Sequence, residues 1–399
     1  MEKTKKYTIH LIGLVHLPQS TRYPQCAFTA KNLKLAKMLT SLGHEVYFYG
    51  SEGSDVEEYV NSTRLHFIQT HTISDIRKDY GDGDNRYALG YNTDSMFRND
   101  FNSPTKPSTH LFNTFVTDYI NKIKKEDDFL LLSQGTYQKA ISDAVKLYLT
   151  CEPGIGYRGS FADFKAFESS YIQNFTYGGN NPRGSVNGNY YDRVIPNYFD
   201  GNDFTFSPKS KDYYLYLGRM IIRKGVWTAI KATEAIGAKL ILAGQTDPEI
   251  DIKSLPKHCE YVGVADATTR NELMGNAIAT FTPTEYLEPF CGVHIESQLT
   301  GTPVLTTNFS VFPETVRNGV NGYRCDTLDD FVWASEEVKK LDRKKVRECG
   351  ERYLMDRVQF EYQKWFEDLY QLYLSSKDDK VKGWHNIRKQ TPEWRKLWT

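Results

Sequence analysis

The sequence predicts an α/β protein made of two parallel-sheet domains that face each other across a cleft. Two observations support this prediction. Short, continuously apolar segments alternate with amphipathic helix patterns in two separate stretches, and a segment rich in Gly, Asn and Pro (178–203) divides them. Strands that are apolar on both faces are typical of parallel sheets covered by helices. We therefore expect an N-terminal domain over 1–195 and a C-terminal domain over 196–375, with the C-terminal helix and tail (376–399) packing back on the first.

The composition indicates a globular protein of balanced charge. Lys plus Arg and Asp plus Glu each number 50, which argues against a globally basic nucleic-acid coat protein and against an acidic disordered tail. No apolar run approaches the roughly 18–20 residues of a membrane span, and the apolar stretch near the start is too short for a secretory signal. The six cysteines are far apart, without a C-x-x-C pair, which predicts free thiols in a reducing compartment and a cytoplasmic location.

The first stretch shows one run of alternating strands and helices interrupted by a polar region. Its predicted elements are a strand over 7–14, a helix over 27–43 that ends at Gly43, a strand over 46–50, loops or short elements over 51–110, a strand over 129–132, a helix over 136–144 and a strand over 145–151.

The second stretch shows a more regular alternation. Its predicted strands cover 213–218, 238–244, 261–262, 277–283 and 303–307, and its predicted helices cover 226–237, 267–277, a segment from Gly292, 329–341, 344–354 and a long segment with the apolar stripe Val358, Tyr362, Trp365, Leu369 and Tyr373. Ligands of such domains bind at the carboxyl ends of the strands, so the loops that follow them are the candidate site.

Two motifs do not hold up as cofactor or metal sites. The segment GIGYRG (154–159) matches G-x-G-x-x-G, but no strand ending in an acidic residue follows about 20 positions later, which argues against a nicotinamide or flavin site. A tight glycine turn over a ligand remains open at this position. The pair Asp82 and Asp84 follows a polar segment instead of an apolar strand, which predicts a solvated loop rather than a metal site.

One constellation of charged residues points to a phosphorylated sugar ligand. Arg219 follows the strand over 213–218, and Lys224 opens the next helix. Two long cations beside a helix N-terminus suit a diphosphate. Glu288 precedes the helix from Gly292, and Glu296 lies eight residues later, near the same face. Carboxylates are suited to accept hydrogen bonds from the hydroxyls of a ribose and of a sugar.

On these residues, the second half resembles the nucleotide-sugar domain of retaining GT-B glycosyltransferases of family 4 (glycosyl transferases group 1). The likeness runs from 194 to 326, through segments such as YLGRMIIRKG and TPTEYLEPFCGVHIES, and its Glu-x7-Glu with Gly-Arg…Lys-Gly is specific. The first half resembles the family more weakly, through its first strand, the loop at 13–26 and the segment LGHEVYFYG. The resemblance implies a GT-B fold of two Rossmann-like domains and a nucleotide diphosphate sugar as donor, with a UDP-sugar favoured and a GDP-sugar as the alternative.

The resemblance also implies a role for each matching residue. Arg219 and Lys224 would bind the diphosphate, Glu296 the ribose hydroxyls and Glu288 the hydroxyls of the transferred sugar. The loop with Val262 and Gly263 would border the nucleobase, and the helix from Gly292 would aim its N-terminus at the diphosphate. The full set of expected donor-binding residues is Gly13, Gly218, Arg219, Lys224, Val262, Gly263, Glu288, Phe290, Cys291, Gly292, Val293 and Glu296, with Gly13 approaching the phosphates from the first domain.

Two departures from the family pattern affect the predicted site. Many members have Gly at the position of Cys291, so we expect a differently shaped sugar pocket. Many also carry a His where Cys151 and Glu152 stand here. Glu152 either contacts a sugar or only anchors the glycine turn, and His16 is either a second polar group at the cleft or part of a surface loop. The candidate catalytic residues are Arg219, Lys224, Glu288, Glu152 and His16.

The predicted reaction is transfer of a sugar, with retention of configuration, to a hydroxyl of a glycan, a lipid-linked sugar or a small molecule. Because side-chain cations stabilise the departing diphosphate, we expect neither a metal nor a cofactor. The alternatives are a glycosyltransferase that modifies hydroxylated DNA bases, a non-catalytic nucleotide-sugar binding protein, and an epimerase or phosphorylase of the same architecture.

The last 24 residues are compatible with more than one binding partner. They contain seven Lys or Arg against three Asp or Glu, together with Trp384, Trp394 and Trp398. This mixture suits contact with DNA or with an anionic membrane, which would make the protein peripheral to the bilayer. Alternatively, the three indole rings pin the segment to the first domain. No stable protein partner is implied.

Overall fold

The fold is that of a computed structural model, which describes residues 5–23, 26–80, 105–179, 188–247 and 249–377, with only the backbone described over 77–80. The strands of the described residues are β1 (Thr8–Ile12), β2 (Glu45–Gly50), β3 (Leu65–Gln69), β4 (Phe129–Leu132), β5 (Thr150–Ile155), β6 (Phe164–Phe167), β7 (Arg193–Val194), β8 (Tyr214–Leu217), β9 (Leu240–Ala243), β10 (Cys259–Tyr261), β11 (Thr280–Thr282), β12 (Val304–Thr307) and β13 (Gly322–Cys325). The helices are α1 (Ala27–Ser41), α2 (Val56–Val60), α3 (Ile73–Tyr80), α4 (Pro107–Ile123), α5 (Lys139–Val145), α6 (Ser170–Gly179), α7 (Val226–Ala235), α8 (Ala267–Asn276), α9 (Gly292–Leu299), α10 (Phe312–Thr315), α11 (Leu328–Glu337), α12 (Arg343–Glu351) and α13 (Met355–Ser376).

The strands form two parallel sheets, as the sequence predicts. The first sheet has the order β3-β2-β1-β4-β5-β6-β7, and the second has the order β10-β9-β8-β11-β12-β13. Every pairing within them is parallel. The central strand β4 is buried at every residue, and so are β8 and β9, because helices cover both faces of each sheet.

The strand order reverses at one point in each sheet. In the first sheet the reversal falls between β1 and β4, and in the second it falls between β8 and β11. Ligands of open parallel sheets bind at such switch points, beyond the carboxyl ends of the strands. The loops that begin at Gly13 and at Gly218 follow β1 and β8, so both predicted phosphate-binding loops stand at switch points.

The structure differs from the predicted elements where the apolar pattern comes from loop packing. The strand predicted over 145–151 is wrong in position, since β5 covers 150–155. Lys146 adopts a left-handed conformation (φ 56°) that ends α5, and Leu147 and Leu149 are buried within the connection that follows. The predicted polar region over 51–110 contains β3, which the sequence did not reveal because it is an edge strand with only its first residue fully buried.

Helix α13 returns to the first sheet. Its side chains Tyr362, Trp365 and Phe366 belong to the same buried cluster as Ile9 of β1 and Phe129 of β4. The sequence placed this helix at the end of the second domain because its stripe alone does not show which sheet it covers. The chain crosses between domains at two adjacent segments, since the Phe199 N–H donates to the Tyr353 carbonyl at 2.9 Å and the Met355 N–H donates to the Phe199 carbonyl at 2.9 Å.

Some predictions fall on residues outside the described ranges. These are the pair Asp82 and Asp84 and the tail beyond residue 377 with its three tryptophans, so the predictions about DNA, membrane or first-domain contacts of the tail stay predictions. All six cysteines are free thiols in the structure. Among the described helices, none combines the length and the apolar character that a bilayer crossing requires.

Candidate active site

The loop after β8 is held against the loop after β11. Gly225, which precedes α7, has φ 72°, and a Cβ on it would lie 2.0 Å from the carbonyl oxygen of Pro283. Only glycine permits this approach, because any side chain would collide with the Pro283 backbone. The contact brings Lys224, at the end of a short 3₁₀ turn, over the segment 284–291 that precedes α9.

Lys224 and Glu288, which the sequence analysis assigned to the diphosphate and to the sugar hydroxyls, meet in this loop pair. The Lys224 Nζ lies 3.5 Å from a carboxylate oxygen of Glu288, and the two side chains are 20% and 15% exposed. Burial lowers the pKa of Lys224, but the Glu288 carboxylate, Tyr286 and Cys291 outweigh it, so the net pKa is raised and the ammonium stays charged. Ser310 fixes Glu288 by accepting from its N–H at 2.8 Å and donating to its carbonyl at 2.9 Å.

Tyr286 is a neighbour of this pair that the sequence did not identify. The Lys224 ammonium lies 5.4 Å from the centre of its ring. Burial raises the pKa of the Tyr286 hydroxyl; the Lys224 charge opposes this and the Glu288 charge adds to it. The phenol therefore remains protonated and can donate a hydrogen bond beside the two charges. Its position two residues before Glu288 gave no periodic signal by which to select it.

Glu296 is engaged by a cation that sequence reasoning also missed. Its carboxylate forms an ion pair with the guanidinium of Arg270, on the first turn of α8. The Asp266 side chain caps α8 by accepting from the Thr269 N–H at 2.8 Å. The residues are 26 positions apart in sequence, so only the packing of α8 beside α9 reveals the pair. Arg270 also connects the predicted ribose site to the loop after β10, which leads into α8.

That loop presents an open face. Val262 is exposed, and a Cβ on Gly263 would meet no atom within 4 Å. The Val262 N–H donates to the Leu242 carbonyl at 3.0 Å, so the loop starts in register with β9. This is the loop that the sequence analysis predicted to border the nucleobase, and that role stays a prediction.

The residues just before and at the start of α9 contact different parts of the molecule. Cys291 is buried in the left-handed region with φ 65°, where glycine carries no Cβ penalty, and Gly292 starts the helix. The Phe290 ring, expected at the donor, packs towards the interdomain crossing, 6.4 Å from Phe199 and 5.5 Å from Tyr353 between ring centroids. Val293 is partly buried against the cluster of Cys291. The Phe290 ring therefore lies against the interdomain crossing, whereas Glu288 lies beside Lys224.

In the first domain, the loop after β1 is tightly built. A Cβ on Gly13 would lie 2.6 Å from the Tyr49 carbonyl oxygen, and the Gln138 side chain donates to the Gly13 carbonyl at 2.7 Å. His16 is buried, with its Nδ1 3.3 Å from the side-chain nitrogen of Gln134. Both residues therefore lie at the switch point between β1 and β4, and His16 is part of the loop interior.

Glu152 lies inside β5 and is completely buried. Its carboxylate accepts from the N–H groups of Phe161 and Ala162 at 2.7 and 2.8 Å and from the Tyr157 hydroxyl at 3.1 Å. Burial raises its pKa, and these hydrogen bonds oppose the shift. These are the contacts of an anchor for the glycine turn 154–159, the second of the two roles that the sequence left open.

The two domains touch at the segment 284–291 and at α10, in a contact that we call the latch (Ser169–Tyr171 with Pro289 and Glu314). The Ser169 hydroxyl donates to the Pro289 carbonyl at 2.6 Å. The Glu314 carboxylate accepts from the N–H groups of Ser170 and Tyr171 at 3.0 and 2.8 Å. Glu314 thus caps α6 across the domain boundary, where a carboxylate is stabilised by the helix N-terminus.

Comparison with known proteins agrees with this architecture. Residues 202–353 match the family model described as Glycosyl transferases group 1. Glycogen synthase of Mycobacterium tuberculosis is 31% identical over 179 residues, 41% of this chain and 42% of that protein. The chain thus aligns with less than half of the length of that curated relative.

Two solved structures show the same two-domain fold over nearly the whole chain. Sucrose-phosphate synthase from Thermosynechococcus elongatus superposes with a TM-score of 0.65 at 15% identity, covering 92% of this chain and 99% of its own. Anabaena HepE in complex with UDP-glucose superposes with a TM-score of 0.58 at 13% identity, covering 90% of this chain and 98% of its own. Residues 202–353, which carry the second sheet and the Lys224–Glu288 pair, thus match the Glycosyl transferases group 1 model, and the chain shares the two-domain GT-B fold of these solved structures.

Proposed function

We propose that the protein is a retaining glycosyltransferase that moves a sugar from a nucleotide diphosphate sugar to a hydroxyl acceptor. The observation that carries the proposal is the Lys224–Glu288 pair, 3.5 Å apart, between the loops after β8 and β11 and beside the N-terminus of α9. A cation is required by a diphosphate and a carboxylate by sugar hydroxyls, and both occur here in a partly dry site at a switch point.

The charged residues of the site would bind different parts of the donor. Arg219 is exposed after β8, and among the described residues no group pairs with its guanidinium, so it is free to join Lys224 on the diphosphate. Glu296 would accept hydrogen bonds from the ribose hydroxyls through a carboxylate oxygen that its ion pair with Arg270 leaves available. Because Anabaena HepE shares the fold and was solved with UDP-glucose, we favour a UDP-sugar, with a GDP-sugar as the alternative.

The reaction follows from where charge develops. The acceptor oxygen bonds to the anomeric carbon, the bond from that carbon to the diphosphate oxygen breaks, and the acceptor proton passes to the departing diphosphate. Lys224, Arg219 and the N-terminus of α9 stabilise the negative charge that gathers on the diphosphate. Glu288 holds the sugar hydroxyls, and attack on the face from which the diphosphate departs retains the configuration.

Donor binding is the test of this proposal. Purified protein is melted in EDTA with a panel of nucleotides and nucleotide sugars, because a ligand at 100 times its dissociation constant stabilises the folded state by about 2.7 kcal/mol. We expect one class of donor, a UDP-sugar, to raise the melting temperature selectively. A cooperative melt that no nucleotide shifts would contradict the proposed function.

A further inference from the structure

A cavity lies beside the segment 284–291, where the two domains and the crossing segments meet. It measures about 650 Å³, and we call it the hinge cavity; Val194 lines it from the first domain, Pro196 from the segment that leads to the second, Phe290 and Val311 from the second domain, and Phe360 from α13. This size falls within the roughly 300–1,000 Å³ of small-molecule sites. None of Arg219, Lys224, Glu288 and Glu296 is among its lining residues. The hinge cavity is therefore distinct from the proposed donor site.

Four of the five charged residues in its wall already have partners. Glu168 is paired with Lys31, Glu314 caps α6, Arg352 donates to the Glu314 carbonyl at 2.5 Å, and Arg357 lies 3.8 Å from Glu351.

Glu361 is the exception. It is half-buried in the wall, and within the described part of the chain no hydrogen bond or ion pair engages its carboxylate. Burial raises its pKa, and the nearby Lys364 opposes the shift. Phe360, the neighbouring residue on α13, is 53% exposed although it lines the cavity. An apolar surface and an unpaired carboxylate thus stand side by side at one place in the wall.

We propose that the hinge cavity binds a small molecule that has an apolar ring or chain and a protonated amine, with the amine paired to Glu361. The apolar part would cover Phe360, Val194 and Val311, and the charge-assisted contact would compensate for desolvation of the carboxylate. Because the wall comes from both domains, an occupant would favour the arrangement in which the latch is closed. The inference does not rest on the proposed function, since it concerns neither the donor nor its residues.

The test uses the full chain without donor and measures two probes by calorimetry, tryptamine and the amine-free 3-methylindole. We expect saturable binding of tryptamine, weakened about tenfold by Glu361→Gln while 3-methylindole is unaffected. Glu367→Gln, on the same helix but outside the cavity wall, is the matched control and should leave both affinities unchanged. Val194→Phe, which fills the cavity, should weaken both probes.

Three results would overturn the inference. One is the absence of saturable tryptamine binding up to about 10 mM, well above the dissociation constants of specific small ligands. Another is equal affinity of wild type and Glu361→Gln for tryptamine, or an equal loss for both probes. The third is wild-type affinity of Val194→Phe for both probes, since binding would then lie elsewhere. A donor panel that fails while tryptamine binds as expected would contradict only the proposed function.

Discussion

At the scale of single residues, the proposed donor site depends on how closely the loops after β8 and β11 approach each other. Gly225 is the point of closest contact. A side chain at this position would destabilise the fold in two ways, by colliding with a neighbour and by disfavouring the left-handed backbone, and the two free-energy costs can be measured separately. Gly237 has a similar φ, 63° against 72°, but a Cβ on Gly237 would meet no atom within 4 Å, whereas one on Gly225 would lie 2.0 Å from Pro283.

We expect Gly237→Ala to cost about 1 kcal/mol of unfolding free energy, the ordinary penalty of a left-handed alanine. Gly225→Ala should cost at least about 2 kcal/mol more, because the Pro283 backbone must also move. Chemical unfolding of the two variants and the wild type checks this prediction. Equal losses for the two variants would mean that the loops after β8 and β11 are not held together as described.

His44 makes a pH-dependent contribution to stability. It is fully buried, accepts from the Tyr7 N–H at 3.2 Å through Nδ1, and has its pKa lowered by burial, with a contribution from Lys6, to about 4. The unfolded chain binds the proton near pH 6.5, so this contribution is present above pH 6.5 and is lost as the pH falls towards 4.

His44→Asn removes this titration and keeps an acceptor for Tyr7. Between pH 7 and about pH 5, the wild type should therefore lose about 2 kcal/mol more unfolding free energy than the variant, at about 1.4 kcal/mol per pH unit. Urea unfolding at the two pH values measures both losses. Parallel losses in the two proteins would show that His44 takes up its proton in the folded state.

Single residues also show the limit of sequence reasoning at the site. Lys224 and Glu288 could be selected because each stands just before or at the start of a predicted helix and belongs to a specific spacing. Arg270 and Tyr286 could not be selected, since neither belongs to that spacing and their neighbours are known only from the packing. Glu152 was found, but its role depended on the position of a strand that the apolar pattern placed too early.

At the scale of elements, α6 is capped by a residue of the other domain. The two hydrogen bonds that Glu314 accepts from Ser170 and Tyr171 stand beside the Ser169–Pro289 contact. Pro289 directly follows Glu288, so the latch links α6 to the residue that would hold the transferred sugar. A capping contact of this kind contributes about 1 kcal/mol.

Glu314→Ala should therefore raise amide hydrogen exchange at the start of α6 by about fivefold, the equivalent of about 1 kcal/mol in local opening. The control is Glu336→Ala, an exposed residue of α11 that pairs only with Lys339 among the described residues. Exchange at residues 169–172 is followed by mass spectrometry. Unchanged exchange in Glu314→Ala would contradict the cap.

Elements differ in how readily the sequence reveals them. The central strands β4, β8 and β9 are buried at every residue, so each reads as a continuous apolar run. The outer strands β3 and β13 are only partly buried and were not predicted. Edge strands are more exposed to solvent than central strands. Fewer of their residues are apolar, so the sequence shows no continuous apolar run there.

At the scale of the whole molecule, α13 joins the end of the chain to its beginning. Trp365 is 1% exposed, and its indole N–H donates to the Tyr191 carbonyl at 3.1 Å. The helix packs with β1 and β4 in the first core. This return explains why the described residues of the range 5–194 and helix α13 form one structural unit although the second domain separates them in sequence.

Trp365→Ala should reduce the unfolding free energy by about 3–5 kcal/mol, the cost of removing a large side chain from a packed core. Leu374→Ala on the same helix is the control, because Leu374 is 43% exposed and should cost less than about 1 kcal/mol. Chemical unfolding compares the two. A small effect of Trp365→Ala would mean that α13 is not integral to the first domain.

The overall architecture could be predicted from the sequence because it depends on two features of the whole chain. Alternation of apolar strands and helices predicts parallel sheets, and strand order at a switch point brings loop residues together whatever the details of the helices. The sequence could not predict which of the two sheets α13 covers, since a stripe of apolar and aromatic side chains can pack against either sheet.

The central claim is that Lys224 belongs to a nucleotide diphosphate site, and calorimetric titration of UDP tests it most directly. Wild type is compared with Lys224→Ala and with Lys231→Ala, an exposed lysine on α7 that serves as the matched control. We expect Lys224→Ala to weaken UDP binding at least about tenfold, since a charge-assisted contact is lost, while Lys231→Ala binds as the wild type does. Equal UDP affinity in Lys224→Ala and the wild type would contradict the assignment of this loop pair as the donor site.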